Sequence, residues 1–485
     1  MAETAGAADA PAHEAPARLR RRVPLIVACT FFMENLDSTV IATSLPVMAA
    51  SFGAPPASVS LGITAYVLTL AAFIPLSAWM ADRFGTRTVF VAAILVFVGA
   101  SVACGLSDSL GGFVAARIAQ GAGGAMMVPV GRMIVLRTTT RAEMMRAIAT
   151  LTWPALVAPV IGPSLGGLIS TYASWRWIFF INLPIGLLGA ALAWRLVPDL
   201  KPEAARAFDG RGFAVASLAL TGLMAALALL THGARGAWPW AALALLAASL
   251  WLGARAVSHM RTHPQPLVDL APFSVPTFAE TMFAGAFSRI AVAAGLFLLP
   301  LMFQAAFGMT PFEAGLLMLV GALGSLGTKA IAIGVVRRYG FRRVLLVNSV
   351  LIAAATAACL AFALEPPVPA MAAIMLALGF TRSLQFTCVN TLAFADMPAE
   401  RMGAASMLSS MVQQLAIAAG VATSALALQV LGRLHGPPAD DPGLADFQFV
   451  LLLLTAIALV AAVRFSRLHA DAGADVSGPA RGRTT

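Results

Sequence analysis

Runs of about twenty apolar residues, parted by short polar knots, recur along the chain from residue 24 to residue 465. A helix that crosses the roughly 30 Å hydrocarbon layer at ~1.5 Å per residue needs about 20 such residues. Each run therefore predicts one membrane-spanning helix. The runs fall at 24–48, 58–79, 88–107, 110–135, 147–171, 178–196 and 212–230, then at 239–256, 277–303, 312–336, 344–363, 370–393, 404–430 and 447–465. The expectation is an all-α polytopic membrane protein with about fourteen spans by that length criterion. An even count puts both termini on one side.

The basic residues orient these helices. With a cytoplasmic N-terminus, 24 of the 32 Lys and Arg fall in tails and loops of that side, and three (Arg176, Arg235, Arg433) fall on the other. The other five (Arg117, Arg132, Arg289, Lys329, Arg382) lie inside runs. Such asymmetry is the positive-inside bias. Both termini are thus expected in the cytoplasm, and the chain in a bacterial inner (plasma) membrane. Only 11% of the chain is charged and 59% is hydrophobic, whereas a soluble domain carries about 25% charged residues. The net charge of +10 is then a matter of orientation, and no nucleic-acid partner is expected; the partner is the lipid bilayer. Cys29, Cys104, Cys359 and Cys388 lie in apolar runs without a CxxC pair, which fits small buried hydrophobes rather than a metal site. Arg18 to Arg22 precede the first run as they would in a signal peptide, but Glu34 and Asp37 inside it favour an uncleaved helix.

An internal repeat is visible. Asp82-Arg83-Phe84-Gly85-Thr86-Arg87 follows the second run, and Arg337-Arg338-Tyr339-Gly340-Phe341-Arg342 follows the tenth. Arg117 and Gln120 of the fourth run are echoed at the same spacing by Arg382 and Gln385 of the twelfth. Two parallel six-helix halves with an inserted pair between them would produce these echoes. The expected organisation is a tail at 1–22, a bundle at 23–196, inserted helices and linkers at 197–276, a bundle at 277–465 and a tail at 466–485. The inserted pair carries few polar residues and is expected at the periphery. The tails, rich in Ala, Gly and Pro, are expected to be disordered.

Charges inside the membrane are costly and usually functional. Glu34 lies ten residues past Pro24, hence roughly 15 Å deep. Asp37, three residues on, shares its face, and Arg117 enters from the other side to the same depth. Burial and a neighbouring Arg pull a carboxyl group in opposite directions, a competition suited to proton exchange. A static Asp37–Arg117 pair that fixes packing is the competing reading. The second half offers Arg289, Lys329 and Arg382, with Glu280 near the inner end of the ninth run. Lys329 is one of only two lysines; it can deprotonate when buried or snorkel to the interface. These cations and Gln385 are the candidate cargo-binding residues, and their sign favours an anionic or chelate cargo.

Four motifs in order resemble the major facilitator superfamily, in its drug/proton antiporter-2 type branch with fourteen spans. Leu36-Asp37-Ser38-Thr39-Val40-Ile41-Ala42-Thr43-Ser44-Leu45-Pro46 is similar to that branch's signature. The Ala78 to Arg87 loop is similar to the superfamily's loop between spans two and three, with Ala78 in place of the usual Gly and Thr86 in place of a basic residue. Arg117-Ile118-Ala119-Gln120-Gly121 is the third motif. Ala158-Pro159-Val160-Ile161-Gly162-Pro163-Ser164-Leu165-Gly166-Gly167 is similar to the antiporter motif, with Ala158 where Gly is usual. The resemblance implies a major facilitator fold and proton-coupled export of small molecules, with Glu34, Asp37 and Arg117 as candidates for coupling. It further implies a cytoplasmic latch at Asp82, Arg83, Gly85 and Arg87, and a leak-closing bend at Gly162, Pro163, Gly166 and Gly167. Cargo and protons are the implied partners of a monomer without a cofactor or metal, and a periplasmic adaptor is left open. An importer of the same fold is the second reading. A membrane-embedded enzyme is a distant third, since all six His lie in tails or loops and no HExxH or Walker-type loop occurs.

Overall fold

The computed structural model describes residues 17–199, 207–231, 238–364, 367–434 and 443–477. Among them the chain is helical, with no strand. The first six long helices are α1 Ala17–Val40, α2 Ser58–Phe84, α3 Thr86–Leu106, α4 Leu110–Thr138, α5 Arg141–Tyr172 and α6 Trp177–Leu196. Then come α7 Gly210–Thr231 and α8 Trp238–Thr262. The last six are α9 Pro276–Ala305, α10 Pro311–Tyr339, α11 Phe341–Phe362, α12 Val368–Ala395, α13 Met402–Leu434 and α14 Leu444–Phe465. Among the described residues, twelve helices are long and apolar enough to cross a membrane, or thirteen if the two pieces of α10, which meet at 57°, form one span. The expected fourteen is therefore not reached on that test; α5, 32 residues long, lies at the fifth predicted run but outside the set.

The halves repeat one packing plan. In the first, α1 packs on α4, α5 and α6, α4 on α2 and α3, and α3 on α6. In the second, α9 packs on α12, α13 and α14, α12 on α10 and α11, and α11 on α14. The repeated loops turn on Gly85 (φ 89°) and Gly340 (φ 73°), backbone conformations that a side chain disfavours. Between α1 and α5 the backbones approach closely. Ala158, Gly162, Gly166 and Ser170, four apart, form one stripe of α5. Its glycines lie against Thr39 and Val40, and Ser170 meets Ser44 at 2.6 Å. Small residues at this period let helix backbones approach in a membrane.

Buried apolar side chains show where the halves join. At the end where α1 begins and α14 leaves off, here the terminal end, one continuous core draws on both halves, from Val27 and Ile134 to Leu392 and Met407. Toward the other end it divides. Leu36, Ile41, Phe113 and Phe179 form a core of the first half alone, and Leu298, Phe303, Phe362 and Phe447 form one of the second. The bundle is thus sealed at the terminal end and parted opposite.

Two expectations need correction. The inserted pair is not wholly peripheral. α8 is, but α7 lies over the seam between α2 and α13, with Ser217 Oγ donating to the Ala72 carbonyl at 2.6 Å and Gln429 Nε2 to that of Thr231 at 2.8 Å. Its Met224 packs against Val67 and Met411. The foot of the pair is tied by Asp209, which accepts from the Gly212 N–H (2.8 Å) and from the His259 ring (2.9 Å). Burial alone would raise the Asp209 carboxyl, but these donors and the Leu267 N–H outweigh it and hold it below the ordinary carboxylate value. The C-terminal tail, expected to be disordered, instead folds back as far as residue 477. Leu468, Ala472 and Val476 are buried, and Asp475 meets Arg141 at 2.9 Å. Val476 thereby joins Arg146 and Ile333 at the foot of α5 and α10. Apolar side chains four apart overrode the Ala/Gly composition. Residues 17–22 of the other predicted tail are likewise ordered, as the first turns of α1, while 1–16 and 478–485 lie outside the described residues.

Candidate cargo and proton site

Arg117 is fully buried, and its position follows from the glycines around it. Gly121, one turn on, lets α2 approach so closely that a Cβ there would stand 2.6 Å from the Tyr66 carbonyl oxygen. The Tyr66 ring then lies 4.4 Å from the Arg117 guanidinium, a cation–π distance. From α1, Asp37 Oδ2 accepts from Arg117 Nη1 at 2.6 Å, with both side chains fully buried. Asp37 Oδ1 accepts from Gln120 Nε2 (3.0 Å) and Asn182 Nδ2 (2.8 Å), and both amides also reach Ser101 Oγ. The carboxylate is therefore held by three donors on α4 and α6.

Glu34 behaves differently. It shares the helix with Asp37 but turns away from the pair, toward Tyr66 and Gly124. A Cβ on Gly124 would stand 3.1 Å from Tyr66 Oη and 3.5 Å from Glu34 Oε1. Glu34 Oε2 and Tyr66 Oη are both buried without a hydrogen-bond partner. Both line a central cavity of about 330 Å³. Its walls come from α1, α2, α4 and α5, from α12 and α13, and, through Met224, from α7.

Of the expected residues, Asp37 and Arg117 are brought together, and Glu34 faces the cavity beside them. Arg382 and Gln385 do not line it. The Gln385 amide is spent inside the second half, on Ser288 (3.3 Å), Ser349 (2.9 Å) and Asn348 (2.8 Å). Arg382 faces a small void among Thr356, Cys359 and Leu451, because the spacing shared with Arg117 aims it into its own bundle. Arg289 donates to Asn390 Oδ1 at 3.3 Å, and Asn390 lines the cavity. The side chains of Lys329 and Pro163 lie outside the described residues. Glu280 pairs with Arg464 at 3.2 Å.

Sequence reasoning missed Arg132. This side chain of α4 lines the cavity and donates from Nη1 to Ser409 Oγ of α13 at 3.0 Å. Its presence among the five basic residues inside runs was the available signal. At the terminal end, Asp82 and Arg137 stand 3.7 Å apart beneath Gly403 of α13, where a Cβ would lie 3.6 Å from Arg137 Nη2. Arg83 is exposed, while the Arg87 backbone N–H donates to Asp199 at 3.2 Å and its guanidinium covers Trp194 at 4.9 Å.

Residues 27–421 match the family described as Major Facilitator Superfamily. Proteins named multidrug resistance protein MdtD, from Cronobacter sakazakii and Pectobacterium carotovorum, are 39% and 38% identical to this chain. Each alignment covers 92% of this chain, and 94% and 95% of the relatives. The structure of the human organic anion transporter MFSD10 is similar with a TM-score of 0.63 at 15% identity, covering 93% of this chain and 100% of the other. The proton:xylose symporter XylE is similar at 0.62, also 15% identical, over 92% and 95%. Identity that low speaks for the fold alone. Two six-helix bundles of one plan, parted by a central cavity and matched over most of their length, make this chain a membrane transporter belonging to the major facilitator superfamily.

Proposed function

We propose that this transporter is a proton-coupled antiporter that exports small organic molecules, of the multidrug type, across the bacterial inner membrane. The names of its relatives support efflux, and Glu34 carries the case for proton coupling. An unpartnered carboxyl oxygen on a cavity wall can exchange a proton with water that enters the cavity. Asp37 could do so only by breaking bonds to three donors. In this reading Glu34 is the carrier, while Asp37 and Arg117 position α1 against α4. The terminal end is cytoplasmic, in keeping with the distribution of Lys and Arg, and the bundles span 23–196 and 277–465 with 197–276 inserted.

Everted vesicles with an imposed pH gradient test this with a panel of compounds. Glu34→Gln is expected to lower gradient-driven uptake by about tenfold or more, as loss of a positioned proton carrier does, while cargo-for-cargo exchange persists at saturating cargo. Uphill transport at the normal rate by this variant would place the carrier elsewhere. At the latch, Asp82→Asn is expected to raise cytoplasmic-side thiol labelling of a cysteine placed in the cavity and to slow turnover. Arg338→Gln, in the repeat loop that lacks the acid, should do less; equal effects would count against an asymmetric latch.

Export of organic anions or carboxylate–metal chelates is a second reading, drawn from the Arg289–Asn390 contact at the cavity edge. Against it, among the described residues the wall carries one acid and one arginine, Glu34 and Arg132, instead of a cluster of cations. Import through the same fold would appear in the same assay as uptake with the reverse gradient.

A further inference from the structure

We propose that the central cavity takes cargo with a basic group at one end and an acidic group at the other, the first held by Glu34 and the second by Arg132. The proposal rests on the cavity being the cargo site. Helix α4 sets the spacing. Glu34 lies against Gly124, and Arg132 follows eight residues later on α4, roughly 12 Å along the axis at ~1.5 Å per residue. Both side chains line the cavity and both are 7% exposed.

Among the described residues, neither charge is paired with an opposite one. Glu34 Oε2 has no partner. Arg132 has five N–H donors, and among the described residues it is bonded to the Ser409 hydroxyl with no carboxylate beside it. One turn from Glu34, by contrast, Asp37 and Arg117 are matched at 2.6 Å. The same wall carries the apolar side chains of Phe31, Leu70, Val128 and Phe386. Across this span, a molecule with complementary ends compensates both charges at once. An aromatic or aliphatic body fills the middle, and the volume is at the small end for ligand sites. On α13, the buried oxygen of Gln413, Oε1, is also unpartnered and borders the same space, which adds an acceptor for a donor on the cargo. The arrangement also gives antiport a physical basis. The Glu34 carboxylate holds either a proton or the basic end of the cargo, so each displaces the other, while the acidic end stays on Arg132.

Equilibrium binding to the purified full-length protein, measured calorimetrically without any gradient, tests the proposal. The probe is a rigid biphenyl with an aminomethyl group at one end and a carboxylate at the other, compared with its methyl ester and its N-acetyl derivative. The zwitterion is expected to bind about tenfold or more tightly than either blocked form. Arg132→Gln should erase its advantage over the ester alone, Arg132→Lys should retain part of it, and Glu34→Gln should erase its advantage over the N-acetyl form alone. Equal affinity of the wild-type protein for all three probes overturns the proposal whatever the variants do. Uniform weakening of all three probes by both variants overturns it too. Zwitterion preference without gradient-driven export would sink the antiport reading and leave this one standing; gradient-driven export of the panel without the preference would do the reverse.

Discussion

Arg117→Gln is expected to damage the protein far more by itself than when it is combined with Asp37→Asn. The pair is fully buried at 2.6 Å, and removing one partner of a buried pair strands the other charge, at a cost of about 3–5 kcal/mol. Gln120 and Asn182 would still donate to Asp37, but two neutral amides do not offset a full charge in a fully buried site. Asp37→Asn alone strands Arg117, whose Nε and Nη2 already lack partners. Replacing both leaves a neutral polar cluster with its amides and Ser101 in place, which is often close to neutral for stability. Melting of the detergent-purified protein should show two unstable single variants and a double variant near the wild type. Transport then divides the roles: recovery in the double variant assigns the pair to positioning, and a stable but inactive double variant assigns it to coupling. Single and double variants that melt alike would rule out an energetically coupled pair.

Gly166→Val should be nearly as destructive, and Gly167→Val nearly silent. A Cβ on Gly166 would collide with the Val40 carbonyl oxygen and stand 2.6 Å from Thr43 Oγ1. Backbone cannot yield as a flexible side chain can, so α1 and α5 must separate along the stripe. Overpacking of this kind costs about 1–3 kcal/mol and sometimes more. Here it also shifts the helix that carries Glu34 and Asp37. Gly167 has nothing within 4 Å of its Cβ position, so a side chain there meets open space and should change stability by no more than about 0.5 kcal/mol. Comparing the melting temperature and vesicle transport of the two variants is the check. A silent Gly166→Val would mean that the two helices are not held at this distance.

Much of this was legible in the sequence because depth and spacing are one-dimensional. Counting residues from Pro24 and from the far side brought Asp37 and Arg117 to one level, where they do meet. The two aromatic–Gly loops announced the repeat, and both glycines have the positive φ that the turn requires. Four-residue spacing found the stripe through Gly162 and Gly166. Facing was much less legible. Position i+3 on a helix is turned about 60° from position i, enough for Asp37 to face α4 and α6 while Glu34 faces the cavity. Which neighbour occupies each side is set by tertiary packing. The same limit misled the reading of Arg382, whose spacing copies Arg117 but whose bundle supplies no Asp to meet it. At the C-terminus the signal was present in Leu468, Ala472 and Val476, four apart, and was outweighed by bulk composition.

That C-terminal segment fastens the two halves from beyond the last span. Every long helix has left the ribosome before Val476 does, yet the foot of the seam between α5 and α10 is completed only by Val476 and the Asp475–Arg141 contact. A chain that stops after α14 would contain both bundles and still leave Ile333 and the foot of α5 uncovered. The foot of this seam is therefore finished by the docked segment and not by the spans alone. A tag joined directly after Ser477 would therefore sit against the seam it is meant only to report.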